Sequence, residues 1–187
     1  MFSVRPRRKV TAATGRRMRV ELMPESRRQL SMYVPRDAAR EIEAVRRLVD
    51  PAQSRLIPAH VTLCREDELG DLASVRARLR RALFGPLTLR FGRPVAFAGH
   101  GLLLECVEGE GRFRALREYL LAPGRVREQR PHITLAHPRN PRSEGNSPCN
   151  TSALPEVIEV TFPSVCLIEQ DGAEPWRLLE EYELRGV

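Results

Sequence analysis

Two short runs in this chain combine residues able to move protons with residues able to hold an anion: His60-Val61-Thr62-Leu63 and His132-Ile133-Thr134-Leu135, 72 residues apart. With only 4 histidines in the sequence, a chance recurrence of His-apolar-Thr-Leu is on the order of one in a thousand or less. Each run follows a proline closely and reads as a β-strand. Side chains alternate along a strand, so the histidine and threonine of each run project from one face, roughly 7 Å apart, while the apolar residues enter the core. Hydrolysis of a phosphodiester needs a proton taken from water and a proton given to the leaving oxygen, and an imidazole titrating near neutrality can do either. A threonine hydroxyl can donate to the phosphoryl oxygens as charge redistributes. If both strands face one groove, the four polar side chains surround a space suited to a tetrahedral anion. That scheme calls for no metal ion.

The same residues also have plainer readings. A lone strand histidine is ordinarily buried and bonded to a backbone carbonyl, and threonine favours strands whatever its role. The repetition argues against this reading for His60 and His132. A zinc site from His60, Cys64, His132 and His137 uses proper ligand types, but strand residues four apart lie roughly 13 Å from each other, too far to share an ion. The same separation removes Cys64 as a thiol nucleophile activated by His60. His100, between two glycines, reads as an exposed turn residue. Trp176 and Phe97 read as core aromatics, with stacking on a base as the alternative.

The elements that must position the two runs follow from periodicity. Gln29 to Val34 alternates as a half-buried strand, and Asp37 is expected to cap a helix with Ile42, Val45, Leu48 and Val49 on one face, ending at Asp50-Pro51. The strand-like run from Leu56 to Cys64 carries the first motif. Asp71 is expected to cap a second helix along Leu72, Val75, Leu79 and Leu83. Short strands are predicted over 87–91, 94–98 and 102–107, with a hairpin turn at Gly99-His100-Gly101. A third helix carries Phe113, Leu116, Tyr119 and Leu120. The second motif follows on a strand from about Pro131 to Ala136. Residues 138–155 hold four prolines and predict a long mobile loop at the rim of a site. Strands over 157–162, 164–168 and 176–184 close the chain. The class is α+β with largely antiparallel sheets.

The paired motifs, in the contexts Pro-Ala-His-Val-Thr-Leu and Arg-Pro-His-Ile-Thr-Leu, resemble the two-histidine (2H) phosphoesterase superfamily and its bacterial 2′-5′ RNA ligase-like branch. The resemblance covers about residues 28–185. It implies a bilobal fold of two antiparallel-rich sheets with pseudo-twofold symmetry and helices on the outer faces. It also implies a metal-independent hydrolase acting on 2′,3′-cyclic phosphates or 2′-5′ phosphodiesters of nucleotides or RNA ends. Carried onto this sequence, His60 and His132 become the acid/base pair and Thr62 and Thr134 the phosphate-binding hydroxyls. Members often carry a basic residue five positions after the motif histidine; here these positions are Arg65 and His137, taken as substrate-binding candidates. The alternative is a nucleotide- or RNA-binding module that uses the same cleft without turnover. The sequence has no G-x-x-x-x-G-K-[ST] run and no Rossmann fingerprint, so hydrolysis rather than nucleotide-activated ligation is expected.

Composition agrees with a globular chain. The 187 residues are 42% hydrophobic and 29% charged, and the apolar runs are too short to span a bilayer. The net charge of +7 resides in the first 19 residues, which hold Arg5, Arg7, Arg8, Lys9, Arg16, Arg17 and Arg19 and no acid. Residues 1–20 are therefore expected as a solvated basic arm, and residues 21–187 as one near-neutral bilobal domain. The 4 cysteines form no close pair and read as free thiols, in keeping with a cytoplasmic setting. No cofactor is implied, and a monomer acting on a nucleotide cyclic phosphate or an RNA end is expected, with no obligate protein partner.

Overall fold

A computed structural model describes residues 26–186. The expected basic arm lies outside the described residues. The chain runs through β1 (Ser26–Tyr33), α1 (Arg36–Val49), α2 (Pro51–Leu56), β2 (His60–Cys64), α3 (Glu66–Leu69), α4 (Leu72–Arg81), β3 (Leu87–Phe97), β4 (Gly101–Glu108) and α5 (Glu110–Leu120). It continues through β5 (His132–Ala136), a 3-10 turn (Pro148–Thr151), β6 (Ile158–Phe162), β7 (Ser164–Asp171) and β8 (Arg177–Glu183). The strands form two four-stranded sheets, ordered β2-β1-β7-β8 and β5-β4-β3-β6, and every pairing is antiparallel.

Position by position the two strand orders correspond, β2 with β5 and β1 with β4. The unit β1-α1-β2 answers β4-α5-β5, and in each unit the motif strand is an edge strand. The two edges, β2 and β5, lie against each other where the lobes meet. The helices cross this junction: α1 packs on β5 and β6 of the other lobe, and α5 packs on β2. A single apolar core results. It joins Leu30, Met32, Val61 and Leu63 of one sheet to Leu89, Phe91, Leu104 and Ile133 of the other, with Ile42 and Val45 of α1 and Phe113 and Leu116 of α5 between them. Burying one face of each sheet in this way puts the motif histidines and threonines on the opposite face.

Local chemistry moved some boundaries. Asp37 lies in the first turn of α1, which begins after Pro35 without a side-chain cap; its charge there complements the helix dipole. Asp50-Pro51 does not simply end a helix. Asp50 accepts from the Gln53 amide and Pro51 fills the first position of α2, so the chain turns directly into a second helix. The strands expected at 87–91 and 94–98 are one strand, β3, with a register shift between Phe91 and Pro94.

The segment 138–155 is tethered rather than free. Asn140 donates to Asp50, Ser143 to the Leu48 and Val49 carbonyls, and Asn146 to the His100 carbonyl. A Cβ on Gly145 would sit 2.2 Å from the Leu48 carbonyl oxygen, so only glycine permits this close approach. His100 is correspondingly half-buried, its Nε2 at 2.9 Å from the Asn140 carbonyl, and serves as an anchor rather than an exposed turn residue.

Candidate active site

β2 and β5 present matching faces. In each, the histidine and threonine are partly exposed while the apolar residues between and after them are fully buried. The rings are also held alike. His60 Nδ1 lies 2.8 Å from the Pro58 carbonyl and His132 Nδ1 2.9 Å from the Arg130 carbonyl, two residues upstream in both cases. A carbonyl only accepts, so Nδ1 of each ring carries the hydrogen, and Nε2 is left to take or give a proton. Among the described residues neither Nε2 and neither threonine hydroxyl has a partner. The sequence-predicted quartet His60, Thr62, His132 and Thr134 thus lies on two strands that meet at one junction.

The surroundings of the first histidine keep it neutral. Burial pushes the His60 imidazole down to about 4, against the bond to Pro58, which favours the charged ring, and the charges of Arg46 and His132 lower it further. At neutral pH the Nε2 of His60 therefore holds a lone pair. Across the strand, Tyr33 is the register partner of His60 and meets it edge to face at 6.3 Å between ring centres. Burial, with the neighbouring Cys166, pushes the Tyr33 phenol up to about 12, so it stays protonated.

Buried charged residues on the helices fix the segments that lead into each motif. Arg46 on α1 donates to Glu43 at 2.9 Å and to the Ile57 carbonyl at 2.8 Å, while Glu43 accepts from the Ala59 amide. This clamps 57–59 just before His60. Arg117 on α5 donates to Glu68 at 2.6 Å, to the Arg127 carbonyl at 2.9 Å, to Gln129 at 3.0 Å and to the Leu63 carbonyl. Gln129 in turn donates to the Thr62 carbonyl at 2.6 Å. One guanidinium thereby ties the first motif strand to the approach of the second.

The positions just after the motifs are tied in the same manner. The Arg65 amide donates to buried Glu68 at 2.9 Å, and the His137 amide to buried Asp50 at 2.8 Å. Burial alone would raise the Glu68 carboxyl, but Arg117 and the Arg65 and Arg127 amides outweigh it and hold it below the usual carboxylate range. Glu43, Arg46, Asp50, Glu68, Arg117 and Gln129 were not singled out from the sequence. For Arg46 and Arg117 the signal was charge interrupting an apolar helical face, as Arg46 does between Val45 and Val49.

The remaining candidates separate from the quartet. Arg65 precedes α3, exposed, with its Nε 3.7 Å from Asp67. The His137 ring accepts from the Arg139 amide at 3.1 Å, and burial followed by the charge of Arg139 lowers its proton affinity, so it adds no cation at neutral pH. Cys64 falls on the core side: a register shift between Leu30 and Ser31 pairs it with Leu30, it is fully buried, and burial pushes its thiol up to about 12. Among the described residues no group of three or more histidines, cysteines or carboxylates is placed to hold a metal ion. Nor is any helix there long and apolar enough to cross a membrane.

Comparison with known proteins places this geometry. No curated protein sequence matches the chain. Among solved structures, E. coli LigT complexed with 3′-AMP is similar with a TM-score of 0.61 at 17% identity, covering 86% of this chain and 98% of that one. E. coli LigT complexed with ATP gives 0.60 and with NADP+ 0.59, each at 16% identity and covering 87% of this chain and 99% of the other. At such identity the likeness is one of fold. The sequence profile of the 2′-5′ RNA ligase superfamily matches residues 34–174, which includes both motif strands and both helix clamps. The chain therefore belongs to the 2′-5′ RNA ligase superfamily, whose members include LigT-like phosphoesterases.

Proposed function

We propose that this protein is a phosphoesterase that hydrolyses 2′,3′-cyclic phosphates or 2′-5′ phosphodiesters of nucleotides or RNA ends, using His60 and His132 as the proton acceptor and donor. The observation that carries this reading is the matched pair of rings, each with Nδ1–H committed to a carbonyl and Nε2 free. A binding site has no need of two such nitrogens; an acid/base reaction does. In the reaction, water attacks phosphorus as the Nε2 of the neutral ring takes its proton, the bond from phosphorus to the leaving oxygen breaks, and the other ring, which enters the cycle as imidazolium with a hydrogen on both nitrogens, protonates that oxygen from Nε2; proton exchange with solvent then resets the pair. The hydroxyls of Thr62 and Thr134 donate to the non-bridging oxygens, where charge gathers in the transition state. The Arg46 and Arg117 clamps hold both rings in place beforehand, so little reorganisation is needed on binding. LigT complexes with 3′-AMP, ATP and NADP+ support a nucleotide as the ligand of the same fold.

The test is incubation of the purified protein with nucleoside 2′,3′-cyclic phosphates and a short 2′-5′-linked oligonucleotide in excess chelator. A variant with both His60 and His132 replaced by alanine is the control. Ring opening or cleavage by the wild type alone is the expected result. Nucleotide binding by the wild type without turnover would instead favour the binding module.

A further inference from the structure

The two sheets differ in how their motif-bearing faces are covered. On the His60 side, the face of the first sheet is covered: Ser31, Cys166 and Ile168 share that face with Thr62 by register and are almost fully buried, under Ile57 at the end of α2 and Trp176 of the β7-β8 connection. Trp176 is fixed there by its amide bond to the Leu56 carbonyl at 2.9 Å. On the His132 side the corresponding face is open at Glu105 and Val107, half-open at Val95 and Phe97, and closed only at Leu103, which is 8% exposed. Leu103 and Glu105 of β4 are the register partners of Thr134 and His132, and Val95 of β3 continues the row beyond Leu103. Glu105 is exposed, as is Val107 beyond it at 58%, and Phe97 is half-exposed. Among the described residues the Glu105 carboxylate has neither a hydrogen bond nor an ion pair.

We infer that the nucleoside of the substrate leaves the phosphate site toward β4 and β3, where its base lies against Val95, beside the largely buried Leu103, and its N–H edge is read by Glu105. This rests on the phosphoesterase reading and names the base class for it. Register partners on neighbouring strands have Cβ atoms about 5 Å apart, which places Glu105 one base width from the reacting phosphate. A carboxylate is an acceptor with two oxygens, so it selects bases by their donors. Guanine offers an amide N–H and an adjacent amino group; adenine and cytosine offer one amino group; uracil offers a single imide N–H. The negative charge also opposes a further phosphate on that side, which favours a small cyclic nucleotide over an extended RNA strand.

Two measurements test this. The first compares kcat/KM for the guanosine and uridine 2′,3′-cyclic phosphates in the wild type and in Glu105→Ala, an exposed position whose loss leaves the core intact. A hydrogen bond to a charged group corresponds to a preference of about 10-fold or more for guanosine in the wild type, falling to within about 2-fold in the variant while the uridine rate holds. The second reads equilibrium binding of guanosine and uridine 3′-monophosphates, which needs no turnover, with the same expected pattern. Equal treatment of the two bases by the wild type, or equal loss for both in the variant, would overturn the assignment. Absence of turnover with selective binding that depends on Glu105 would remove the phosphoesterase reading and keep the subsite.

Discussion

Replacing Arg117 by methionine should be the most costly single change in the molecule. The guanidinium and its partner Glu68 are both almost fully buried, 2.6 Å apart. Removing the cation strands the Glu68 carboxylate in the core, and the Leu63 and Arg127 carbonyls and the Gln129 amide oxygen each lose a donor. Breaking a buried ion pair from one side costs about 3–5 kcal/mol. For a chain of this size that corresponds to a fall in Tm of roughly 6–20 °C. Urea unfolding followed by both fluorescence and far-ultraviolet circular dichroism measures the loss as a shift in midpoint. Glu68→Gln in the Arg117→Met background should recover part of it, because the stranded charge is then gone. A loss below about 1 kcal/mol, or no recovery in the double variant, would show that the network does not hold the two motif strands as argued.

The same logic gives further expectations. His60 in the folded chain titrates near 4, below its unfolded value of about 6.5. The unfolded chain therefore binds more protons between these pH values. The contribution of His60 is full above pH 6.5 and is lost as pH falls toward 4, by at most about 3 kcal/mol given that the ring keeps some solvent contact. A urea midpoint series across this window should slope for the wild type and flatten in His60→Asn, and equal slopes would count against a neutral, enclosed ring. Thr62→Val and Thr134→Val, which keep the strand shape, should each lower kcat by about 10- to 1000-fold with little change in unfolding midpoint; unchanged kcat would remove the hydroxyls from the phosphate site.

The placement of the quartet was legible because a strand converts sequence spacing directly into facing. Histidine at the first position and threonine at the third must share a side, and the apolar residues between them must be buried, as Val61, Leu63, Ile133 and Leu135 are. The edge position of β2 was not legible, since it depends on β7 pairing with β1 from a distant part of the chain, whereas β3 reaches β4 through the expected short hairpin. Nor were the clamps. Arg46 and Arg117 sit among many arginines of one composition, and only tertiary packing shows which two are enclosed. The tethered segment 138–155 was misjudged for a related reason: its proline content predicts no regular element, but its Asn and Ser side chains find Asp50 and the end of α1 rather than water. The Leu30–Ser31 register shift, which turns Cys64 into the core, likewise leaves no mark in the sequence.

The central claim is that two equivalent imidazoles divide one acid/base reaction. It is tested most directly by measuring single-turnover hydrolysis of a nucleoside 2′,3′-cyclic phosphate in excess chelator by His60→Ala and His132→Ala separately, with unfolding midpoints to confirm the fold. The account predicts a loss of roughly 100-fold or more in each variant, and a double variant not much slower than either single one, because each ring is useless without the other. Near-normal turnover in either well-folded single variant would contradict it.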